Sequence, residues 1–146
     1  MNAILIKKTA LLFCTAGLLL ANVAQADPHP KIDLPIKSET LLHTSTSWDG
    51  VAYKAYPDGT PELTVLKLTI RANTSLPWHK HPMPVAAYLV SGKLTIEKKN
   101  GEKKSFAAGQ VLAEAMEQVH RGVTGDEPAE LIIFYAGTKG LTLMQD

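Results

Sequence analysis

The sequence is poor in cysteine: Cys14 is the only one among 146 residues. It lies in an apolar stretch near the start of the sequence. A single cysteine cannot form an internal disulfide, and one thiol is too few for a thiolate metal site. Disulfide frameworks and cysteine metal sites are therefore excluded, so any metal ligands must be histidines or carboxylates.

Neither sign of charge dominates. The 15 basic and 14 acidic residues leave a formal net charge of +1 at pH 7. The lysines around the Asn100-Gly101 turn are interpreted as a solvated hairpin tip, so we expect no nucleic-acid partner. The sequence also lacks a glycine-rich phosphate loop, a serine nucleophile elbow and a close pair of carboxylates. The reaction classes that need them are excluded.

Long apolar runs are also missing, because no stretch after residue 26 approaches the roughly 18 residues of a membrane-spanning helix. Residues 1–26 are typical of a secretory signal peptide. Lys7 and Lys8 precede an apolar core, and Ala24-Gln25-Ala26 resembles a cleavage site. We therefore expect cleavage before Asp27, no membrane anchor, and a periplasmic or secreted protein.

The rest of the sequence predicts one domain. Residues 27–36 are expected to form a flexible N-terminal arm, and residues 37–146 are too few for two barrels. Leu66, Leu68 and Ile70 alternate with polar residues, as in a strand with one buried face, and no segment has the period of an amphipathic helix. Short strands between glycine and proline turns predict an all-β sandwich or barrel. The predicted strands cover residues 38–44, 51–56, 63–71, 93–99, 102–107, 131–135 and 141–144.

His79 and His81 stand in the proline-rich segment Pro-Trp-His-Lys-His-Pro-Met-Pro. Proline lacks an amide donor and fixes its own φ, so the segment is predicted to be extended. Side chains of an extended chain alternate between faces, which places both imidazoles on one side. They can then converge on one metal ion, and the alternative is a pair of surface histidines on a loop.

A third histidine follows at a spacing that belongs to a known pattern. His79, His81 and Gly92 match the first motif of the cupin family in register, and Gly109 and His120 match the second. Over roughly residues 62–137 the sequence thus resembles the cupin family. The resemblance implies a cupin-type double-stranded β-helix, or jelly-roll barrel, with His79, His81 and His120 as metal ligands.

The sequence departs from the family pattern at several motif positions. The metal-binding glutamate of the first motif falls on Val85, and the proline, glycine and asparagine positions of the second hold Ala115, Glu117 and Thr124. Three histidines without that carboxylate would leave a bound ion its full charge, which favours an anionic or bidentate substrate.

Glu114, six residues before His120, is the candidate catalytic residue. A carboxylate among apolar neighbours needs a partner. It could be a fourth metal ligand, an acceptor for a ligand histidine, or a general base with a raised pKa. The alternative is that it points into solvent.

Five large side chains are candidates for lining a pocket beside the ion, with ordinary core packing as the alternative. They are Trp78, Met83, Tyr88, Met116 and Tyr135.

The resulting prediction is an exported protein that binds a divalent metal ion, Fe, Zn, Ni, Cu or Mn, and a small-molecule ligand or substrate. The family includes dioxygenases, isomerases, decarboxylases, storage proteins and sugar-binding regulators, and the activity expected here is that of a small-molecule dioxygenase or isomerase. The alternatives are a non-catalytic small-ligand-binding module of the cell envelope and a barrel that serves as a scaffold. Residues 131–135 are apolar on both strand faces, and cupin barrels pair through such faces, so a homodimer is also expected.

Overall fold

The computed structural model describes residues 36–146, so the predicted signal peptide and nearly all of the predicted arm lie outside the described residues. None of the described residues forms a helix long and apolar enough to cross a membrane. Residues 38–146 group into one compact unit. Its strands are β1 (Pro61–Ile70), β2 (Val85–Ser91), β3 (Lys93–Lys98), β4 (Lys103–Ala107), β5 (Val111–Ala113), β6 (His120–Val123) and β7 (Ala129–Thr138).

The strands form two antiparallel sheets. One has the order β1-β7-β2-β5 and the other the order β4-β3-β6. Leu94 and Ile96 of the smaller sheet and Leu131 and Ile133 of the larger one belong to the same buried core. Two sheets around one apolar core are the arrangement of a jelly roll, and the all-β prediction is confirmed.

The larger sheet is apolar on both faces. Leu131, Ile133 and Tyr135 of β7 are buried, whereas Phe134 points the other way and is 40% exposed. Phe134 pairs with Val65 of β1, which is 60% exposed. The outer face therefore carries partly exposed apolar side chains, although Phe134 also borders a surface pocket with Leu42, Tyr53 and Tyr56, and the expected homodimer stays a prediction.

Four predicted strands are confirmed with small shifts of their ends, and three are wrong. Residues 38–44, 51–56 and 141–144 form no strand, and among them only Ala52 forms an isolated bridge, with Thr46. Local hydrogen bonds explain part of the difference. The amide of Thr46 donates to Oγ1 of Thr44 at 3.0 Å, and Oγ of Ser47 donates to the carbonyl of Val51 at 3.1 Å. Such side-chain bonds compete with ladder pairing.

Candidate metal centre

Backbone pairing brings the three histidines together. The amide of His79 donates to the carbonyl of His120 at 2.9 Å, and the amide of His120 returns the bond at 2.8 Å. His81 follows in the same extended segment, where it forms a bridge with Met116. The imidazole centroids lie 4.9 Å apart for His79 and His81, 4.8 Å for His79 and His120, and 5.3 Å for His81 and His120.

Glu114 joins this cluster from the end of β5. Its amide donates to the carbonyl of Val85 at 2.9 Å, which extends the pairing of β2 with β5 by one residue. Directly opposed residues on neighbouring strands point to the same face of a sheet. Val85 is 3% exposed and Glu114 is 7% exposed, so both side chains point inward and the solvent-facing alternative for Glu114 is wrong. A carboxylate thus lies directly across the strand pair from Val85, the position at which the family pattern has its glutamate.

The donor atoms are close enough for one ion. Oε2 of Glu114 lies 3.0 Å from Nε2 of His81 and 3.1 Å from Nε2 of His120. With His79 included, one donor atom from each of the four residues lies within 4.8 Å of the others. In an octahedron, bonds of about 2.1 Å place neighbouring donor atoms about 3.0 Å apart. The separations around Glu114 therefore match those of ligands that share an ion.

All three imidazoles are oriented by the backbone. Each Nδ1–H donates to a carbonyl oxygen, which leaves the lone pair of the neutral ring on Nε2. The acceptors are Pro77 for His79 at 2.9 Å, Leu143 for His81 at 2.7 Å, and Gln118 for His120 at 2.8 Å.

This tautomer provides the test of whether the residues fit a metal ion. A neutral ring protonated at Nδ1 cannot donate from Nε2, so Oε2 of Glu114 faces two lone pairs, those of His81 and His120. A cation between these atoms satisfies all of them, and the donor set fits a divalent metal ion. Because backbone carbonyls already accept the Nδ1 protons, the geometry favours Glu114 as a ligand over Glu114 as an acceptor for a ligand histidine.

The pKa directions agree with an anionic Glu114. Burial lowers the pKa of His79. Burial also opposes the charged form of His81, but the hydrogen bond and charge of Glu114 outweigh it and raise the pKa of His81. Burial would raise the pKa of Glu114, yet the contacts of its carboxylate with Nε2 of His120 and of His81 hold that pKa well below its usual range. This direction is opposite to the raised pKa expected of a general base.

A cavity of about 190 Å³ adjoins the cluster. Among the described residues, the four cluster residues and Tyr135 are the only ones that line it with side-chain nitrogen or oxygen atoms, and the remainder of the lining is apolar. Burial and the charge of Glu114 raise the pKa of the Tyr135 hydroxyl to about 12. This hydroxyl is therefore a neutral donor at ordinary pH.

Of the five predicted lining residues, only Tyr135 borders this cavity. Met83 is buried in the core and Tyr88 lies on the outer face. Trp78 stacks against the guanidinium of Arg121, 4.4 Å from the ring centroid. Met116 lines a separate surface pocket.

Residues 141–144 contribute to the site in a way that sequence reasoning missed. The carbonyl of Leu143 orients His81, and Met144 lines the cavity. The Leu143 contribution is a backbone atom, which no side-chain pattern reveals.

The loop before His120 keeps a backbone constraint of the family pattern without its glycine. Glu117, which stands at that glycine position, has a φ of 58°, and its amide donates to the carbonyl of His81 at 2.9 Å. Left-handed backbone of this kind favours glycine, so Glu117 holds a conformation unfavourable for its residue type.

Residues 66–135 match the family model of the cupin domain. The described domain has a cupin fold. Among curated proteins, none matches the sequence.

Three solved structures illustrate what the chain is similar to. The polyketide cyclase RemF from Streptomyces resistomycificus has a TM-score of 0.51 and 14% identity, over 60% of this chain and 61% of that chain. The DMSP lyase DddQ from Ruegeria pomeroyi DSS-3 has a TM-score of 0.50 and 16% identity, and the match covers 55% of this chain and 41% of that chain. A cupin-like protein from Thermotoga maritima MSB8 has a TM-score of 0.49 and 16% identity, and the match covers 57% of this chain and 62% of that chain. The chain spans less than two thirds of each, and at these identities the likeness concerns the fold alone.

Proposed function

We propose that the domain binds one divalent metal ion through His79, His81, Glu114 and His120, and that it acts on a small molecule held in the adjoining cavity. The observation that most directly supports this proposal is the geometry of the atoms that would donate to the metal ion. Three backbone-oriented imidazoles direct Nε2 toward one region, and the carboxylate of Glu114 touches two of them. A binding cluster beside a largely apolar cavity is the usual form of a small-molecule site.

Three neutral imidazoles and one carboxylate suit Fe, Zn, Ni, Cu or Mn. When bound, such an ion supplies Lewis-acid or redox chemistry, and the proposed reaction classes are isomerisation and dioxygen addition. The protein's own contribution is orientation and exclusion of water. Backbone carbonyls fix the imidazoles, the aliphatic lining limits access of water, and Tyr135 offers one hydroxyl to the ligand.

Metal analysis tests the proposal. Protein purified without chelator or affinity metal is measured by plasma mass spectrometry, beside His81→Ala and the matched control His43→Ala, whose histidine is exposed. We expect about one ion per chain in the parent and the control, and loss of it in His81→Ala. The proposal is wrong if the parent stays free of metal after loading at about pH 7.5, where an unperturbed imidazole is mostly neutral.

A second candidate function is a non-catalytic small-ligand-binding module. It is favoured by the shortage of proton-transfer groups, because in residues 36–146 Tyr135 is the only ionisable side chain outside the cluster that lines the cavity. Oxygen consumption or isomer formation on a substrate panel, abolished in His79→Ala, would decide for the enzyme. Ligand binding without turnover across the panel would decide for the module.

We further propose that residues 1–26 direct export of the protein. Amino-terminal sequencing of the mature protein is expected to begin at Asp27.

We also propose a homodimer formed through the outer face around Val65 and Phe134. Light scattering is expected to give twice the chain mass, and Val65→Asp with Phe134→Asp is expected to give the monomer. A monomeric parent at working concentration would refute the dimer.

A further inference from the structure

The cavity beside the cluster offers a ligand few polar partners. No lysine or arginine among the described residues lines it, and Tyr135 carries its only hydroxyl group. The walls are largely aliphatic, with a pair of side chains from each of three strands. These are Leu68 and Ile70 of β1, Leu94 and Ile96 of β3, and Leu131 and Ile133 of β7.

Charge balance in this cavity limits the ligand. A divalent ion held by three neutral imidazoles and the carboxylate of Glu114 carries one net positive charge. An unpaired charge among aliphatic side chains is costly, and no other charged group lines the cavity. A ligand with one negative charge neutralises the site. A second negative charge would have no partner, and a cationic ligand would meet a charge of its own sign.

The volume limits how much of a ligand the cavity can enclose. At about 30 Å³ for a water-sized group, a cavity of about 190 Å³ holds roughly six non-hydrogen atoms. An acid with a short hydrocarbon tail fits this volume, and the tail of a long-chain fatty acid would extend beyond it.

Tyr135 provides the remaining recognition element. Its hydroxyl makes no hydrogen bond within the described part of the chain, and its ring meets the His81 ring edge-on, with centroids 5.6 Å apart. Tyr135 thus packs against one candidate ligand and lines the same cavity, with its hydroxyl free as a donor. A carboxylate has a second oxygen that can accept this bond.

We infer that the site takes a short, apolar monoanion, in the class of monocarboxylates with about four or five carbon atoms. Its charged group meets the metal ion and the hydroxyl of Tyr135, and its tail lies among the aliphatic side chains. The inference rests on the proposed metal site and adds the ligand class.

The test uses the full chain loaded with Co(II), with ligand binding followed by calorimetry and by the visible spectrum of the cobalt. The probes are pentanoate, succinate, pentylammonium and decanoate. We expect pentanoate to bind at least about tenfold more tightly than the other three. Tyr135→Phe should weaken pentanoate about tenfold while cobalt stoichiometry stays unchanged, and the control Tyr88→Phe, on the outer face, should alter neither.

The possible failures can be told apart. Chain that takes up no cobalt overturns the proposed function, and the ligand class with it. Cobalt-loaded chain that binds succinate as well as pentanoate, or that binds none of the probes, overturns the ligand class and leaves the metal site standing. Unchanged pentanoate affinity in Tyr135→Phe removes Tyr135 from the recognition of the ligand.

Discussion

His79 and His120 exchange both of their backbone hydrogen bonds, so two candidate metal ligands are also direct partners in one bridge. The separation of their imidazoles is therefore set mainly by the main chain. A site arranged in this way does not need the ion in order to assemble.

The first prediction concerns metal removal. We expect the chelator-treated protein to keep its far-ultraviolet circular dichroism, because the sheets and the core are built without the ion. Its thermal midpoint should fall and should rise again with added metal, since an ion that binds only the folded state stabilises it. Loss of the β-sheet signal on chelation would contradict this.

The second prediction moves the carboxylate across the strand pair. Glu114→Val should weaken metal binding by at least about tenfold. Adding Val85→Glu to that variant should recover much of the affinity, because the two inward-facing residues are directly opposed. Equal affinities of the single and double variants, measured by competition with a chelating dye, would refute this account of Glu114.

The third prediction concerns Tyr53, whose hydroxyl donates to the backbone carbonyl of Glu114 at 2.8 Å. Tyr53→Phe leaves that carbonyl without this donor and should cost about 1 kcal/mol of unfolding free energy, with a small loss of metal affinity. The control is Tyr56→Phe, because Tyr56 is 73% exposed. Denaturant unfolding of both variants measures the difference, and equal stabilities would show that the bond contributes nothing.

The fourth prediction concerns the left-handed backbone of Glu117. Glu117→Gly should stabilise the fold by up to about 1 kcal/mol, because glycine adopts this φ without strain. The change also removes the exposed ion pair with Lys80, 3.1 Å long, which contributes little. Glu117→Gln removes the same charge and keeps the strain, so it should be no more stable than the parent. A destabilised glycine variant would show that the conformation carries no strain.

The fifth prediction gives a pH dependence. Burial would raise the pKa of Asp49, but hydrogen bonds from Lys98 and Ser47 outweigh it and lower that pKa. A folded-state pKa below the unfolded one gives stability that is full above the unfolded pKa and is lost as pH falls through the folded one. Asp49→Asn should therefore cost about 1–3 kcal/mol at about pH 7 and clearly less at about pH 3. A cost independent of pH would contradict the ionic contribution.

Local sequence patterns predicted the central strands and the extended segment that carries two of the histidines. Alternation of apolar residues identified the central strands, and prolines around His79 and His81 identified the extended segment. The pairing of Glu114 with Val85 depends on the register of two strands that are distant in sequence, which local alternation does not determine. The role of Leu143 was not predictable either, because it acts through its carbonyl and because its neighbours form no strand.

The backbone carbonyls that accept hydrogen bonds from Nδ1 of the three histidines cannot be tested by side-chain mutagenesis. An alanine scan of Pro77, Gln118 and Leu143 leaves every one of these acceptor atoms in the chain. The groups that aim the imidazoles would therefore pass such a scan unnoticed. Chemical replacement of the backbone amide by an ester, which weakens the carbonyl as an acceptor, would reveal them.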